Sequence, residues 1–370
     1  MISRIRLLNF RNYDDCTVEF SHGLNCLVGR NGQGKTNVLE GIYYLSLLRS
    51  FRTSNINELR QWDRNFFMLH GSVSSEIDLN TELEVTYGAE RRLMLNGSKV
   101  YRASDFINKL VCVTFIPEDL SMVLGTPSVR RRFLDIAISQ ISPEYLRHLQ
   151  AFTVALKSRN TLLKEVDKYS RNTVTAYDTV LAKEGAFIEI ERLKFSKTLN
   201  SRLEAFSDEL VGDDRRLSIN YMMRLNGFRL QSFDDQGVGE IEKSILENLE
   251  KNYEKDVDRG NTSIGPHHSD FTCLLGGVNM SSFASQGECR LCSLALKLGC
   301  LSIVKETLGS NGVTLLIDDV IGELDSRRRT SFFNAVNGIG QTIFACTELP
   351  FGLPRADRVF RVNLGTVAIS

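Results

Sequence analysis

The segment Gly29-Arg30-Asn31-Gly32-Gln33-Gly34-Lys35-Thr36 constrains the fold of this chain more than any other stretch. It follows the apolar run 24–28, which predicts a strand, and it precedes residues 36–48, whose pattern predicts a helix. A glycine-rich loop between a strand and a helix is the setting of a phosphate-binding P-loop. The sequence therefore predicts an α/β fold with a phosphate site at this loop.

The residue types in this loop suit a nucleoside triphosphate. Glycines allow consecutive backbone N–H groups to turn toward a phosphate, and the N-terminus of a helix favours an anion. We expect Lys35 to reach the β- and γ-phosphates. The hydroxyl of Thr36 is expected to bind magnesium, which prefers oxygen ligands.

A second element that fits a nucleotide site is the apolar run 313–317, which ends in Asp318 and Asp319. In P-loop proteins the first such carboxylate reaches magnesium, and the second can orient or deprotonate water. Paired acids at a strand end also occur as helix caps, and it is the P-loop that favours the nucleotide interpretation here. Asp318 lies 282 residues beyond Thr36, so a large insertion separates the two halves. That spacing is typical of ABC-type ATPase heads and not of compact GTPases or small kinases.

A third element, Phe283-Ala284-Ser285-Gln286-Gly287-Glu288, lies between these two and precedes an amphipathic helical pattern. A serine hydroxyl and glycine amides at the start of a helix form an anion site. Taken alone, the same residues are an ordinary helix cap. Their place between the P-loop and the acidic strand favours the third element of an ABC-type head.

Composition limits the other possibilities. The 45 basic and 45 acidic residues of this 370-residue chain cancel, so any DNA contact must come from local clusters. Candidate clusters are Arg91-Arg92, Arg130 to Arg132 and Arg327 to Arg329, each of which also fits a solvated or salt-bridged surface.

The N-terminal residues show no signal core, and no apolar run reaches membrane-spanning length, which predicts a cytoplasmic protein without membrane contact.

The eight cysteines are scattered along the chain, which favours small buried side chains over a disulfide framework. Cys289 and Cys292 form a single C-x-x-C pair and leave zinc as the alternative.

The order of predicted elements indicates two domains. Strands are predicted at residues 5–8, 17–20, 66–70, 83–87, 92–95 and 111–116, with a hairpin turn at Asn96-Gly97. Helical patterns run from residue 129 to about 210, and α/β character returns with strands at 271–275, 313–317 and 342–345 and a helix at about 288–306. We therefore predict a discontinuous head, residues 1–126 plus 263–370, with a mixed central sheet and an antiparallel subdomain. Residues 127–262 are predicted to form an inserted, mainly helical arm.

Together these motifs resemble the RecF family of bacterial repair proteins, ABC-type ATPases related to the SMC proteins. The resemblance covers essentially the whole chain. Besides the P-loop it rests on residues 8–13, 49–52, 116–120, 130–135, 265–267, 285–287 and 317–325. The chain departs from the family pattern in two places: Glu288 follows Gly287 where Gln is usual, and His268-Ser269-Asp270 replaces a basic-acidic continuation.

The resemblance implies an ATP-dependent DNA-binding protein in which two heads dimerise with nucleotide between them. Ser285 and Gly287 of one copy would contact the γ-phosphate held by Lys35 of the other. Asp318 would help to hold magnesium, and Asp319 would stand at the catalytic-base position where many ABC proteins carry Glu. Because Asp is one methylene shorter, we expect slow ATP hydrolysis, suited to a timed clamp.

The resemblance also implies further contacts and partners. The P-loop through Asn37 would bind the nucleotide, Arg11 would approach its phosphates, Glu118 lies at the Q-loop position, and Thr347 lies where other heads carry a switch histidine. The implied partners are DNA, as duplex and as single-strand/double-strand junctions, and RecR with or without RecO. The implied setting is repair, replication, recombination and the SOS response.

Two other functions fit parts of the sequence. A P-loop phosphotransferase acting on a small molecule would need an acceptor pocket and would work without the segment around Ser285. A mainly architectural SMC-like protein would need longer arms, since about 30 helical residues span only about 45 Å.

Overall fold

The computed structural model describes residues 1–74, 80–165, 170–210, 215–225, 235–350 and 352–370. The strands are β1 (Ile2–Phe10), β2 (Tyr13–Glu19), β3 (Gly23–Val28), β4 (Phe67–Val73), β5 (Thr81–Tyr87), β6 (Arg91–Leu95), β7 (Ser98–Val100), β8 (Cys112–Phe115), β9 (Leu217–Met222), β10 (Asp270–Leu275), β11 (Val278–Asn279), β12 (Thr314–Asp318), β13 (Gln341–Cys346), β14 (Arg358–Asn363) and β15 (Thr366–Ile369). The helices are α1 (Lys35–Leu47), α2 (Ala103–Phe106), α3 (Ser121–Leu124), α4 (Pro127–Ile141), α5 (Pro143–Leu163), α6 (Arg171–Thr175), α7 (Asp178–Leu210), α8 (Asp235–Lys251), α9 (Tyr253–Arg259), α10 (Met280–Phe283), α11 (Gln286–Leu308) and α12 (Ser326–Val336).

The chain forms two compact units. The first comprises Met1–Asp119 and Leu294–Ser370, and the second comprises Leu120–Ser293. The domain limits at 126/127 and 262/263 stay a prediction.

The first unit contains an antiparallel sheet in the order β2-β1-β4-β5-β6-β7. Its strands alternate between buried and more accessible residues, as β4 does with Phe67, Leu69 and Val73 buried, so one face packs into the core. Between β6 and β7, Asn96 and Gly97 both have positive φ, 50° and 77°. The predicted hairpin turn is thereby confirmed, since a two-residue turn of this kind needs positive φ at both positions.

The second sheet of this unit has the order β15-β14-β3-β13-β12-β8. It is parallel from β14 to β8, and only the β14–β15 pair is antiparallel. Strands β12 and β13 are buried along their whole length, as expected for a sheet covered on both faces. The predicted fold class, an α/β ABC-type head with a mixed central sheet and an antiparallel part, is confirmed.

Helix α1 contacts β1, β4 and β5 of the first sheet and β12 and β13 of the second. It is therefore buried on nearly every side. Two glycines allow the close approach: a Cβ at Gly41 would lie 2.8 Å from Leu7 Cδ2, and one at Gly71 would lie 2.7 Å from Leu45 Cδ1. This packing fixes the N-terminus of α1, which follows the P-loop, against both sheets.

The second unit is mainly helical, with α5 and α8 packed against the 33-residue α7. A small antiparallel sheet of order β11-β10-β9 completes it. Its core includes an ion pair between Arg192 and Asp135 at 2.7 Å, in which the Arg192 side chain is only 3% exposed. The helical character predicted from residue 129 to about 210 is confirmed in the described parts of that range, residues 129–165 and 170–210. The β14–β15 hairpin of the first unit was not predicted from the sequence.

Candidate nucleotide-binding site

The P-loop follows β3, and α1 begins at Lys35. Gly32 and Gly34 have φ of 79° and 116°, a backbone conformation that side chains disfavour. Gly34 is the N-cap of α1, and the first turn of the helix contains no acidic residue. The helix dipole and the first N–H groups are therefore available to an anion without a competing carboxylate.

The ammonium group of Lys35 lies over its own loop. Nζ donates to the carbonyl oxygens of Gly29 at 2.6 Å and Arg30 at 3.0 Å, and the residue is 6% exposed. Both bonds end on neutral acceptors, so the full positive charge remains available to a phosphate beside the loop.

Thr36 and Asp318 meet although they are 282 residues apart. The Thr36 hydroxyl donates to Asp318 Oδ1 at 3.0 Å. Burial raises the pKa of the Asp318 carboxyl above its ordinary value, while the hydrogen bond from Thr36 acts in the opposite direction. These two oxygen donors fit magnesium, which in nucleotide sites takes one or two protein oxygens together with phosphate and water.

Asp319 directly follows β12 and adopts φ of 51°, in the left-handed region that Asp tolerates better than most residues. Its backbone N–H donates to Ala345 O at 3.1 Å, which fixes the turn against β13. The adjacent carboxylates of Asp318 and Asp319 therefore leave the sheet at the end where the P-loop begins.

Arg11 is held by a buried carboxylate. Its Nε and Nη2 donate to Glu40 at 2.8 and 2.7 Å, and its Nη1 donates to Glu58 O at 2.8 Å. The Glu40 side chain is fully buried, whereas that of Arg11 is 16% exposed. The fork geometry positions the guanidinium and leaves N–H groups of Nη1 and Nη2 for another acceptor.

Two segments distant in sequence support the P-loop. From the connection between β1 and β2, Asn12 Nδ2 donates to Gln33 O at 3.1 Å, and from the start of β2, Tyr13 Oη donates to Gly34 O at 3.0 Å. From the β14–β15 turn, Leu364 N donates to Gln33 Oε1 at 2.9 Å. These bonds hold the loop in shape from both sides.

These residues surround one cavity of about 930 Å³. The predicted site residues that line it are Arg11, Asn31, Gly32, Gly34, Lys35, Thr36, Asn37, Asp318 and Asp319. The other lining residues were not predicted from the sequence: Asn12, Arg52, Glu58, Arg60, Gln61, Trp62 and Pro117. Three of them lie in segments that carry the resemblance, residues 8–13, 49–52 and 116–120, whereas nothing in the sequence pattern indicated residues 58–62.

Other predicted site residues lie beside this cavity or in the other unit. Gly29 and Arg30 contribute carbonyls to Lys35, and the Gln33 side chain faces the β14–β15 turn. Glu118 lies in the 3-10 turn Pro117–Leu120, and Thr347 directly follows β13. Both are exposed, and neither is among the described residues that line the cavity. Their roles at the nucleotide stay a prediction.

The segment around Ser285 belongs to the second unit and precedes α11. Ser285 N and Oγ both donate to Glu288 Oε2 at 2.8 Å, and Glu288 N donates back to Ser285 Oγ at 3.3 Å. This reciprocal arrangement is a capping box. Glu288 also accepts from Arg215 at 2.8 Å, and the hydrogen bonds from Ser285 followed by that from Arg215 lower the pKa of its carboxyl. Glu288 therefore keeps a negative charge at the N-terminus of α11.

The basic clusters divide into engaged and exposed arginines. Arg130 pairs with Asp270 through two bonds of 2.8 Å, and Arg131 donates to Ser269 O at 3.1 Å. Arg328 pairs with Asp325, and Arg329 donates to Leu324 O. The exposed members are Arg91, Arg92, Arg132 and Arg327.

All eight cysteines are free and buried, as predicted for small core side chains. Across the described ranges, no group of three or more His, Cys, Asp or Glu is arranged to hold a metal. No helix within those ranges is both long and apolar enough to cross a membrane.

The known proteins that this chain resembles in sequence belong to one family. Residues 1–363 match the family described as the RecF/RecN/SMC N terminal domain. The DNA replication and repair protein RecF of Clostridium tetani (strain Massachusetts / E88) is 37% identical over 368 residues, 98% of each chain. The protein of the same name from Streptococcus pyogenes serotype M49 (strain NZ131) is 37% identical, covering 100% of this chain and 98% of the relative.

Comparison with solved structures agrees with these sequences. A structure of the recombination mediator protein RecF-ATP in the RecFOR pathway matches with a TM-score of 0.90 at 30% identity, covering 100% of this chain and 97% of the other. An SmcHead structure, bound to the C-winged helix domain of ScpA, matches with a TM-score of 0.54 at 14% identity and supports the fold alone.

Proposed function

Because the chain belongs to the RecF family of DNA replication and repair proteins, we propose that it is an ATP-dependent DNA-binding protein of recombinational repair and replication-fork maintenance. ATP would drive two heads together around DNA, and slow hydrolysis would release them. The contact between Thr36 and Asp318 is the observation that carries this proposal. It joins the P-loop to the acidic strand at the position where a magnesium nucleotide needs both.

The residues of the cavity have separate tasks in this proposal. The P-loop amides and Lys35 hold the phosphates, and Thr36 and Asp318 would hold magnesium, which neutralises charge on the phosphates. Asp319 orients the attacking water and accepts its proton. Its carboxylate is one methylene shorter than Glu, and a misplacement of about 1 Å can lower a rate on the order of a hundredfold. Slow turnover follows from that geometry.

The second half of the site would come from the α11 N-terminus of another copy. Ser285 and Gly287 are exposed, as an intermolecular phosphate contact requires. In the free chain, however, the Ser285 hydroxyl donates to Glu288. The γ-phosphate must therefore compete with an internal carboxylate, which makes the closed dimer weaker than it would be with Gln at this position.

DNA contact is assigned to the exposed arginines of the basic clusters, Arg91, Arg92, Arg132 and Arg327. Arg130 is a weaker candidate, since its bidentate pair with Asp270 already occupies its guanidinium. Binding through phosphates should weaken steeply between low and physiological salt. We propose RecR, with or without RecO, as protein partners, because the matching RecF structures belong to the RecFOR pathway.

A mixing experiment tests the composite site. Lys35→Ala and Ser285→Ala proteins should each lack ATPase activity. In a mixed dimer, one of the two sites combines the intact Lys35 of one copy with the intact Ser285 of the other. Random pairing of equal amounts should therefore restore about a quarter of the wild-type sites.

The matched control is Ser282→Ala, which changes an exposed serine three residues earlier and should leave ATPase activity intact. Absence of rescue, with both variants folded and Lys35→Ala still able to pair, would contradict a site shared between two copies. Full activity of Ser285→Ala alone would instead favour a phosphotransferase that works within one chain.

A further inference from the structure

The exposed side of α5 carries basic residues that form no cluster in the sequence. Arg147, Lys157 and Lys164 are all exposed, and Lys164 is the C-cap of the helix. They are spaced ten and seven residues apart. Because each residue of an α-helix advances by about 100°, these spacings place the three side chains within an arc of about 100°. The helix therefore aligns on one side three charges that no basic run in the sequence indicates.

This side of α5 has no acidic residue of its own. Between Glu144 and Glu165 the helix contains neither Asp nor Glu, and its other exposed residues over that range are Ala151, Thr153, Val154 and Thr161. Glu184 of α7 reaches α5 but binds His148 at 2.5 Å. None of the three basic side chains forms an ion pair with another described residue. Their positive charge is therefore available to an external anion.

The opposite side of α5 is fixed in the core of the second unit. Near the start of the helix, Tyr145 Oη donates to Asp135 at 2.6 Å. Near its end, the fully buried Arg159 donates to Asp178 at 2.7 Å and to Asp256 at 2.8 Å. The 21-residue helix thus presents its basic side rigidly over a length of about 30 Å.

The neighbouring helix α8, which also packs on α7, has the opposite charge balance. Residues 236–251 contain four glutamates and two lysines. One of these lysines, Lys251, lies 3.9 Å from Glu247. The excess of positive charge is therefore a property of α5 and is not shared by α8.

We propose that the α5 basic side, defined by Arg147, Lys157 and Lys164, binds the phosphate backbone of duplex DNA. This inference rests on the proposed DNA-binding function and adds a surface to it. Duplex DNA carries one negative charge per about 1.7 Å of its axis, so a rigid basic helix of this length can meet phosphates along nearly one turn of about 34 Å.

The side chains around these charges favour DNA over a protein partner. Protein interfaces are enriched in aromatic anchors, whereas both aromatic rings of α5, Tyr145 and Phe152, are buried. The exposed threonines can instead donate hydrogen bonds to phosphate oxygens, as hydroxyl groups commonly do in protein–DNA complexes.

The expected effect is a loss of affinity that depends on salt. At physiological salt each phosphate contact contributes about fivefold to the affinity. The triple variant Arg147→Ala/Lys157→Ala/Lys164→Ala should therefore bind duplex DNA about a hundredfold more weakly than the wild type. The slope of log affinity against log salt should become less steep by about three. The loss should be the same for duplexes of different sequence, since phosphate contacts carry no sequence information.

Fluorescence anisotropy of a labelled duplex measures these affinities. The full-length protein is titrated at several salt concentrations with a non-hydrolysable ATP analogue present. Lys157→Ala alone should lose about fivefold, so the test does not depend on the folding of the triple variant. Arg147→Lys/Lys157→Arg/Lys164→Arg keeps all three charges and should retain most of the affinity. ADP affinity and ATP-dependent dimerisation should stay at wild-type values in every variant.

The matched control is Lys243→Ala/Lys251→Ala/Lys255→Ala, which removes the same charge from exposed lysines of α8 and α9 and should bind DNA nearly as the wild type does. Equal losses in both triple alanine variants would overturn the proposal, because net charge and not the α5 basic side would then govern binding. Wild-type DNA affinity of the α5 variant would also overturn it and leave the other exposed arginines as DNA contacts. The same result together with weaker binding of RecR would assign the α5 basic side to a protein partner. Absence of any duplex binding by the wild type would contradict the proposed function itself.

Discussion

The N-termini of α1 and α11 are both predicted phosphate contacts, yet they differ in charge. Gly34 caps α1 without a side chain, and Lys35 adds a positive charge in the first turn. Ser285 precedes α11 in a capping box with Glu288, so a carboxylate already accepts from the backbone N–H and the hydroxyl of Ser285. The N-terminus of α1 can accept an anion directly. At the N-terminus of α11, a phosphate would have to displace the Glu288 carboxylate from Ser285. In the proposed mechanism, nucleotide would therefore bind first at the P-loop, and closure of the dimer would be the weaker step.

Removal of the lysine should give the largest effect. Lys35→Ala deletes the only side-chain cation in the first turn of α1, and we expect nucleotide affinity to fall at least about a hundredfold, since charge-assisted bonds to phosphate are strong. Calorimetry with ADP measures this. Lys157→Ala, an exposed lysine of α5, is the control and should bind normally. Wild-type ADP affinity in Lys35→Ala would contradict the proposed difference in charge between the N-termini of α1 and α11.

A longer catalytic carboxylate should give the next largest effect. Asp319→Glu would place the carboxylate nearer to the attacking water of the proposed mechanism, and we expect ATP turnover to rise about tenfold. Asp319→Asn, which keeps the left-handed backbone but has no carboxylate, should be inactive. Steady-state ATPase assays at saturating ATP measure both. An Asp319→Glu protein that turns over more slowly than the wild type would contradict the geometric explanation of slow hydrolysis.

Neutralisation of the α11 capping box tests the contrast directly. Glu288→Gln keeps the capping geometry but removes the charge. We therefore expect ATP-dependent dimerisation to tighten about threefold to tenfold, since a charge at a helix terminus contributes about 1 kcal/mol. ADP binding, which uses the P-loop alone, should not change.

Sedimentation with a non-hydrolysable ATP analogue measures this dimerisation. Glu250→Gln makes the same charge change at an exposed site on α8 and should leave it unaltered. Unchanged or weaker dimerisation of Glu288→Gln would show that the carboxylate does not compete with phosphate.

The smallest expected effect is on stability. Burial raises the pKa of Asp318, so the folded chain holds that proton more tightly than the unfolded chain does. Ionised Asp318 therefore lowers the free energy of unfolding at neutral pH, and the loss disappears as pH falls through the unfolded pKa. Without magnesium, Asp318→Asn should raise Tm by about 2 °C at pH 7.5 and less at pH 4. Asp258→Asn, on the surface of α9, should change Tm little at either pH. A lower Tm for Asp318→Asn at pH 7.5 would show that ionised Asp318 stabilises the folded chain, which contradicts this prediction.

Much of the fold could be predicted because its signals are local. Continuous apolar runs matched β3, β12 and β13, and the Asn96-Gly97 turn matched the β6–β7 hairpin. The β14–β15 hairpin was missed, since Arg358–Asn363 alternates charged and apolar residues weakly and its turn has no strong hairpin dipeptide. Its tip binds Gln33, so part of the P-loop support could not be predicted.

The sequence by itself determined the phosphate loop, the acidic strand end and the order of strands and helices, because each depends on residue types within a few positions of one another. Tertiary structure alone decided that Thr36 meets Asp318, that Glu40 holds Arg11, and that Trp62 faces the same cavity. Those contacts depend on strand order, register and the packing of α1 between two sheets. Interactions of that kind join residues tens to hundreds of positions apart, and no local pattern in the chain records them.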